Sequence, residues 1–491
     1  MARTLTQSVN FRIILRVIGW LLMVEALFMV IPMAVSFAYG EMPTAMAFLY
    51  TVGVTMLVGA LMAFRIKPRV KSMHKREGLM LTATVWVFFS VFGMLPFLIT
   101  GTLTTITDAF FETMAGFTTT GSSVIGDLES LPRGLLMWRA LMQWIGGMGI
   151  ILFTLAVLPM LNYKGGIALF NAEVTGITHE RMRPRVSQTA KDLWIIYVVL
   201  TALMAVFLVK PMGWFDAVCH ALTTLSTGGL STKNAGINHW HSSYVYIVVM
   251  VFMFLGGVNF TLLFNLVRGR FSKLWHSDTF RWYLIMTVVV TLIIVSHMEW
   301  MNMCDTRANR FIYAFFDTIG AITSTGFTSV HYETKGEFIA MMLMIIMFFG
   351  GMAGSTSGGA KIDRFFVLLK NTKNEFYRIL HSNTVTAVRV DGRAIPHTVV
   401  SKVIAFLSIY MLVLMVVAVL LTLMGVPIFD SLYTSISVIS NYGVGYGSIG
   451  ANGFAILPDA AKWLLSFEML VGRLELFTVL SLFTTSFWIK D

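Results

Sequence analysis

Four short stretches of this chain share one grammar, and together they limit the fold more than any other feature. Asp108 to Ser123 reads DAFFETMAGFTTTGSS, Phe215 to Ser231 reads FDAVCHALTTLSTGGLS, Phe315 to Ser329 reads FFDTIGAITSTGFTS, and Asp430 to Gly447 reads DSLYTSISVISNYGVGYG. Each is an apolar, helix-like run that passes through Ser, Thr or Asn into glycine and then breaks. Asp108 stands thirteen residues before Gly121 and Asp430 thirteen before Gly443, while Glu112 and Asp317 stand nine before Gly121 and Gly326. Four matched copies predict fourfold pseudosymmetry. A helix of about 12 residues covers ~18 Å, well short of a hydrocarbon core. Irregular backbone at that depth survives only where protein buries it or it lines a wet cavity. A ring of such loops suits a dehydrated cation.

The rest of the chain supplies the membrane. Of 491 residues, 56% are hydrophobic and 12% charged, with a mean hydropathy of +0.76. These values lie far outside the soluble range. They predict an all-α polytopic membrane protein: two leading transmembrane helices, then four pseudo-fourfold helix–pore-loop–helix repeats around one central pore. The leading spans cover about 11–37 and 43–66. In each repeat a span is followed by a half-span and a second span: near 79–99, 107–119 and 134–161; 190–210, 215–226 and 242–267; 281–298, 311–324 and an interrupted 337–380; 398–424, 429–440 and 461–488. The units are therefore 1–77 (leading helices), 78–165, 166–270, 271–385 (with an intramembrane loop) and 386–491, giving ten crossings and four re-entrant half-helices. The first segment is too long for a signal sequence and lacks a cleavage site, so it reads as a retained span.

The net charge of +11 does not imply nucleic acid. Three quarters of the 36 Lys and Arg residues fall in 1–16, 65–76, 162–191, 268–281, 361–402 and Lys490, all on one side of the predicted topology. By the positive-inside rule both termini and these loops are cytoplasmic, facing anionic lipid headgroups. The half-spans then enter from outside. Cys219 and Cys304 form neither a disulfide framework nor a metal motif.

Within the four loops the candidate ion ligands are Thr119, Thr120 and Gly121; Thr227 and Gly228; Ser324, Thr325 and Gly326; and Asn441, Tyr442 and Gly443. Glycine allows positive φ, and half-helix C-termini carry partial negative charge toward the same point. The acids Asp108, Glu112, Asp216, Asp317 and Asp430 either cap half-helices or draw cations to the outer mouth. The second spans align as Gly146-Gly147-Met148-Gly149, Gly256-Gly257-Val258-Asn259, Gly350-Gly351-Met352-Ala353 and Val471-Gly472-Arg473-Leu474. That register places Arg473 in the slot of Met148, Val258 and Met352. An intramembrane arginine is a functional candidate, unless Glu468 or Glu475 pairs with it. In the third repeat, GGMAGSTSGGAK breaks the span through Gly350, Gly351, Gly354, Ser355, Thr356, Ser357, Gly358, Gly359 and Lys361. So many glycines disfavour helix, which predicts a movable constriction beneath the loops.

The stretches DAFFETMAGFTTTG, MWRALMQWIGGMGIIL, RMRPRVSQTAKDLW, GGMAGSTSGGAK and MLVGRLELFTVLSLF resemble the TrkH/TrkG subunits of bacterial Trk potassium uptake systems, within the Trk/Ktr/HKT superfamily. The resemblance covers nearly the whole chain, including the two leading spans. It implies K+ held by the filter residues named above, an intramembrane gate at Gly350–Gly359 with a pore arginine at Arg473, and a homodimer with one pore per subunit. It also implies an inner-membrane location and a cytoplasmic TrkA-type nucleotide-binding ring docked near 162–191 and 361–402. No phosphate-cradling loop lies in this chain, so nucleotide belongs to the partner. The chain departs from the family pattern at Met352, at Ser357 and in the fourth loop, where SNYGVGYG replaces a more usual NNLGPGLG. These departures bear on Na+ discrimination.

Other function classes fit less well. An organic-solute transporter usually shows inverted repeats, whereas these four copies read in one direction. Catalysis needs clustered polar groups, and His220, His297 and His331 are scattered, so no enzyme is expected. A cation pathway of relaxed K+/Na+ selectivity, or an H+-coupled K+ symporter, stays open at this level.

Overall fold

The four predicted half-spans are helices that stop partway: Ile106–Phe117, Trp214–Leu225, Arg307–Ile322 and Ile428–Ile439. Their starts follow local chemistry. Thr105 accepts the Asp108 N–H at 3.1 Å and Thr306 accepts that of Asn309 at 3.3 Å, as N-caps do. Gly213, at φ 80°, turns the chain into the second, and extended Pro427 leads into the fourth. The computed structural model describes residues 9–67, 73, 75–147, 149, 186–303, 306–329, 336–381, 384, 386–474 and 476–488.

Among the described residues, six helices are long and apolar enough to cross a membrane: Phe11–Ala38, Met42–Arg65, Arg76–Ile99, Lys191–Met212, Asp278–Trp300 and His397–Leu423. These are the two leading spans and the first span of every repeat. The leading pair touches at two glycines: a Cβ on Gly19 would lie 2.7 Å from the Gly59 carbonyl oxygen. Small residues permit this backbone approach. In the turn between them, Glu41 accepts the N–H groups of Arg133 and Gly134 at 2.7 and 3.2 Å, which anchors the pair to the next repeat.

The second helix of each repeat behaves differently. The expected continuous span 242–267 is two helices, Ser243–Gly256 and Phe260–Val267, bent by 108°. Asn259 drives the bend, since its side chain accepts the Thr261 N–H at 2.7 Å and starts a new helix. The third repeat is broken as expected, into Glu337–Phe349 and Ile362–Leu380. The expected 461–488 span is Asp459–Arg473 followed by two short helices, Leu476–Leu480 and Thr485–Trp488. Arg133–Gly147 is the described part of the first of these helices. Met148 and most of the basic loop 162–191 lie outside the described residues.

Candidate functional site

Each half-helix ends in the same backbone figure. The N–H groups of Thr120 and Gly121 turn back to the Ala115 carbonyl, those of Gly228 and Gly229 to Thr223, that of Thr325 to Gly320, and those of Tyr442 and Gly443 to Ser437, at 2.8–3.3 Å. These are Schellman-type closures. Thr119, Thr227, Ser324 and Asn441 sit at φ 52–55°, and Gly121, Gly229, Gly326 and Gly443 at φ 73–83°. A left-handed non-glycine residue costs roughly 1–2 kcal/mol, yet here one recurs in every repeat. Strain repeated in matched places marks a function. The N–H groups are thus turned back onto the half-helix rather than toward the neighbouring loops.

The matched φ values correct the second loop. Gly229, not Gly228, stands in register with Gly121, and Gly228 takes the place of Thr120, Thr325 and Tyr442. Two adjacent glycines hide a one-residue shift from sequence reading.

The loops close into a ring. A Cβ on Gly121 would lie 2.1 Å from the Gly228 carbonyl oxygen, one on Gly229 1.8 Å from that of Thr325, one on Gly326 2.3 Å from that of Tyr442, and one on Gly443 1.8 Å from that of Thr120. Each glycine faces the middle carbonyl of the next loop, and the fourth returns to the first. Fourfold pseudosymmetry is thus realised in the geometry.

Directly below, small residues seat the second helices on the half-helices. Cβ atoms on Gly146 and Gly472 would lie 1.8 and 2.2 Å from the Phe117 and Ile439 carbonyl oxygens. On Gly147 and Gly257 they would meet Ser226 and Thr323 in the next repeat, and on Gly358 they would meet Ser440. Gly472 therefore matches Gly146. Arg473 occupies the slot of Gly147 and Gly257, one residue away from the expected register with Met148, Val258 and Met352.

The third repeat's loop crosses beneath the ring. Thr356 donates its hydroxyl to the carbonyls of Leu225 and Gly256 at 3.0 and 3.1 Å. The Gly358 N–H donates to Ser324 Oγ, and Lys361 Nζ donates to the Ser357 carbonyl. Gly350 and Gly359 pack backbone to backbone, and Gly351 packs against Ser357. Gly354 accepts the Phe260 N–H at 3.0 Å, and Ser355 and Ser357 share a hydroxyl contact at 2.8 Å. Arg473 completes the layer, its two terminal nitrogens donating to the carbonyls of Thr356 and Gly146, both at 2.8 Å. The loop thus touches the second, third and fourth repeats, and Arg473 joins it to the first. Glu468 accepts from Ser435 at 2.6 Å, and Glu475 lies outside the described residues.

The acids neither simply cap nor simply attract. Glu112 is buried, pairs with Arg139 at 2.8 Å, and accepts from Ser123 and the Val124 N–H. Asp317 holds the Ser329 N–H at 2.7 Å, Asp430 holds Ser448, and Asp216 accepts from Thr232. Asp108 pairs with Lys462 at 2.6 Å. In the corrected register His220 occupies the slot of Glu112 and Asp317, with Nε2 3.0 Å from Ser231 Oγ. These groups tie each return strand to its half-helix. Farther out, the Asn234 amide beside Asp127 holds that carboxyl below the usual aspartate range and links the first two return loops.

Sequence reading missed Gln143, a buried amide that donates to the Gly228 carbonyl at 2.7 Å and accepts the Leu230 N–H at 3.1 Å. It also missed Ser122, which donates to the Gly443 carbonyl at 3.2 Å.

Comparison with known proteins agrees with this geometry. The model of the TrkH family, described as a cation transport protein, matches residues 44–488. The Trk system potassium uptake protein TrkH of Salmonella typhimurium is 35% identical over 487 residues, covering 98% of this chain and 99% of that protein. The Trk system potassium uptake protein TrkG of Escherichia coli is 33% identical over 484 residues, covering 98% and 99%. The crystal structure of the potassium transporter TrkH from Vibrio parahaemolyticus superposes with a TM-score of 0.87 at 33% identity, covering 98% of this chain and all of that one. A helical, multi-pass transport protein rather than an enzyme, the chain belongs to the TrkH family of cation transport proteins.

Proposed function

We propose that this chain takes up potassium across the bacterial inner membrane through a channel-like filter. The carrying observation is the ring in which each left-handed glycine abuts the middle carbonyl of the next loop. The carbonyls of Thr119, Thr120, Thr227, Gly228, Ser324, Thr325, Asn441 and Tyr442 replace the ion's water. Gly121, Gly229, Gly326 and Gly443 let the loops approach closely enough to do so. K+ is the cargo, and inward movement draws on the membrane potential, ~2.3 kcal/mol per charge per 100 mV.

The segment Gly350–Lys361 with Arg473 is the gate. It crosses beneath the ring, held by hydrogen bonds of ordinary strength that a few kcal/mol can exchange. A cytoplasmic TrkA-type nucleotide-binding ring docked on the basic inner face supplies that bias, and two copies of this chain assemble side by side. Both termini are cytoplasmic, as the Lys and Arg distribution supports.

The test is flux of radioactive rubidium and sodium into proteoliposomes of the purified chain. Wild type should prefer rubidium, and Gly121→Ser or Gly443→Ser should lower that preference at least about tenfold. A loss of filter geometry worth ~1.4 kcal/mol suffices for that factor. An unchanged preference in both variants sinks the filter assignment.

A further inference from the structure

We propose that Gln143 is a positioning residue of the ion filter, an amide staple that fixes the second loop and makes the ring electrostatically unequal. The inference rests on the reading of the four loops as a potassium filter. Three loops carry a side chain at the middle position, Thr120, Thr325 or Tyr442, and the second has Gly228. A Cβ there would lie 2.3 Å from Gln143 Cδ. The Gln143 amide fills the space that a side chain on the loop occupies elsewhere.

Its two hydrogen bonds straddle Gly229. Nε2 donates to the Gly228 carbonyl at 2.7 Å and Oε1 accepts the Leu230 N–H at 3.1 Å. One turn earlier on the same helix, Arg139 reaches the Ser231 carbonyl at 3.4 Å and Ser123 Oγ at 3.0 Å. One helix face of the first repeat therefore stitches the first and second loops together. At the corresponding positions of the second and fourth repeats, three residues before Gly256 and Gly472, stand the buried side chains of Met253 and Met469. Neither supplies an amide.

A carbonyl oxygen has two lone pairs. At Gly228 one of them is engaged by an amide, so this oxygen offers an ion a weaker and more rigidly placed ligand. Across the ring, Asn441 Nδ2 donates to Thr120 Oγ1 at 2.9 Å, fixing the junction of the fourth and first loops. The first loop is thus held on both sides by side chains, whereas Ser324 in the third loop is held by the crossing segment below.

The experiment measures competing rubidium and sodium flux in proteoliposomes of the full chain, comparing wild type, Gln143→Leu, Gln143→Glu and Gly121→Ser. The ratio reads only functional molecules, so reduced yield does not obscure it. Gln143→Leu should lower the rubidium preference about three- to tenfold, the factor one net hydrogen bond carries. Gln143→Glu has the same shape. Protonated, its O–H donates to Gly228 and its carbonyl oxygen accepts from Leu230. Ionised, it can only accept. Its ratio relative to wild type should therefore approach one in acid and fall in alkali. The titratable and charged groups on this helix and on those packed against it (Arg12, Arg16, Glu25, Tyr50, Asp108, Glu112, Arg133, Arg139, Asp216, Cys219 and His220), with Tyr197 and Arg473 hydrogen-bonded to its carbonyls, are common to both proteins and cancel in that comparison. A wild-type ratio in Gln143→Leu, or a pH-independent relative ratio in Gln143→Glu, overturns the inference. If Gly121→Ser also keeps the wild-type ratio, the filter reading itself falls. If Gly121→Ser loses preference while Gln143→Leu keeps it, only the role of Gln143 falls.

Discussion

Arg139 shows how much of this site rests on residues that never meet the ion. It is fully buried beside Glu112, and both hold Ser123 behind the first loop. Removing one partner of a buried pair leaves the other uncompensated and costs about 3–5 kcal/mol. Arg139→Met should therefore lower the thermal midpoint in detergent markedly, and adding Glu112→Gln should recover part of the loss. Equal midpoints for wild type and Arg139→Met would show that the pair bears no load. In sequence Arg139 and Gln143 look like ordinary polar residues of an amphipathic helix. Nothing in their spacing reveals that they face two loops from different repeats. Gly229 was hidden differently: beside Gly228, either glycine satisfies the pattern, and only φ separates them.

The half-helices were legible because length and punctuation fix them. An apolar run too short to span, ended by Thr-Gly or its equivalents, has few other solutions in a membrane. The second helices were less legible. Their breaks at Asn259 and after Arg473 depend on tertiary hydrogen bonds, such as Asn259 Nδ2 to the Ala353 carbonyl at 2.7 Å. The glycine-rich break at Gly350–Lys361 could be read directly, since no helix holds that composition. What it touches could not. Because Arg473 joins this segment to the first repeat, Arg473→Ala and a deletion within Gly354–Gly359 should each raise leak flux several-fold in liposomes. A reduced or unaltered leak in both argues against a barrier there. Asn259→Ala removes the helix start and the tie to Ala353, and should raise leak more modestly, since one cap is worth about 1 kcal/mol.

Over the whole molecule, the spans were legible from apolar length, while the one-sided placement of Lys and Arg supplies the expected orientation. The ring carries a consequence for how the protein is made. Thr120 and Asn441, which meet in it, are 321 residues apart in sequence. Ribosomes add about 5–20 residues per second. The first half-helix thus waits tens of seconds for the loop that completes its surroundings. Until Gly443 arrives, the Thr120 carbonyl lacks its neighbour on that side, and the ring proposed as the filter is incomplete. Chains ended before Asp430 should insert in the membrane, as protease protection would record, yet discriminate between rubidium and sodium no better than a lipid defect. On the proposed filter, selectivity is therefore the last property that a growing copy acquires.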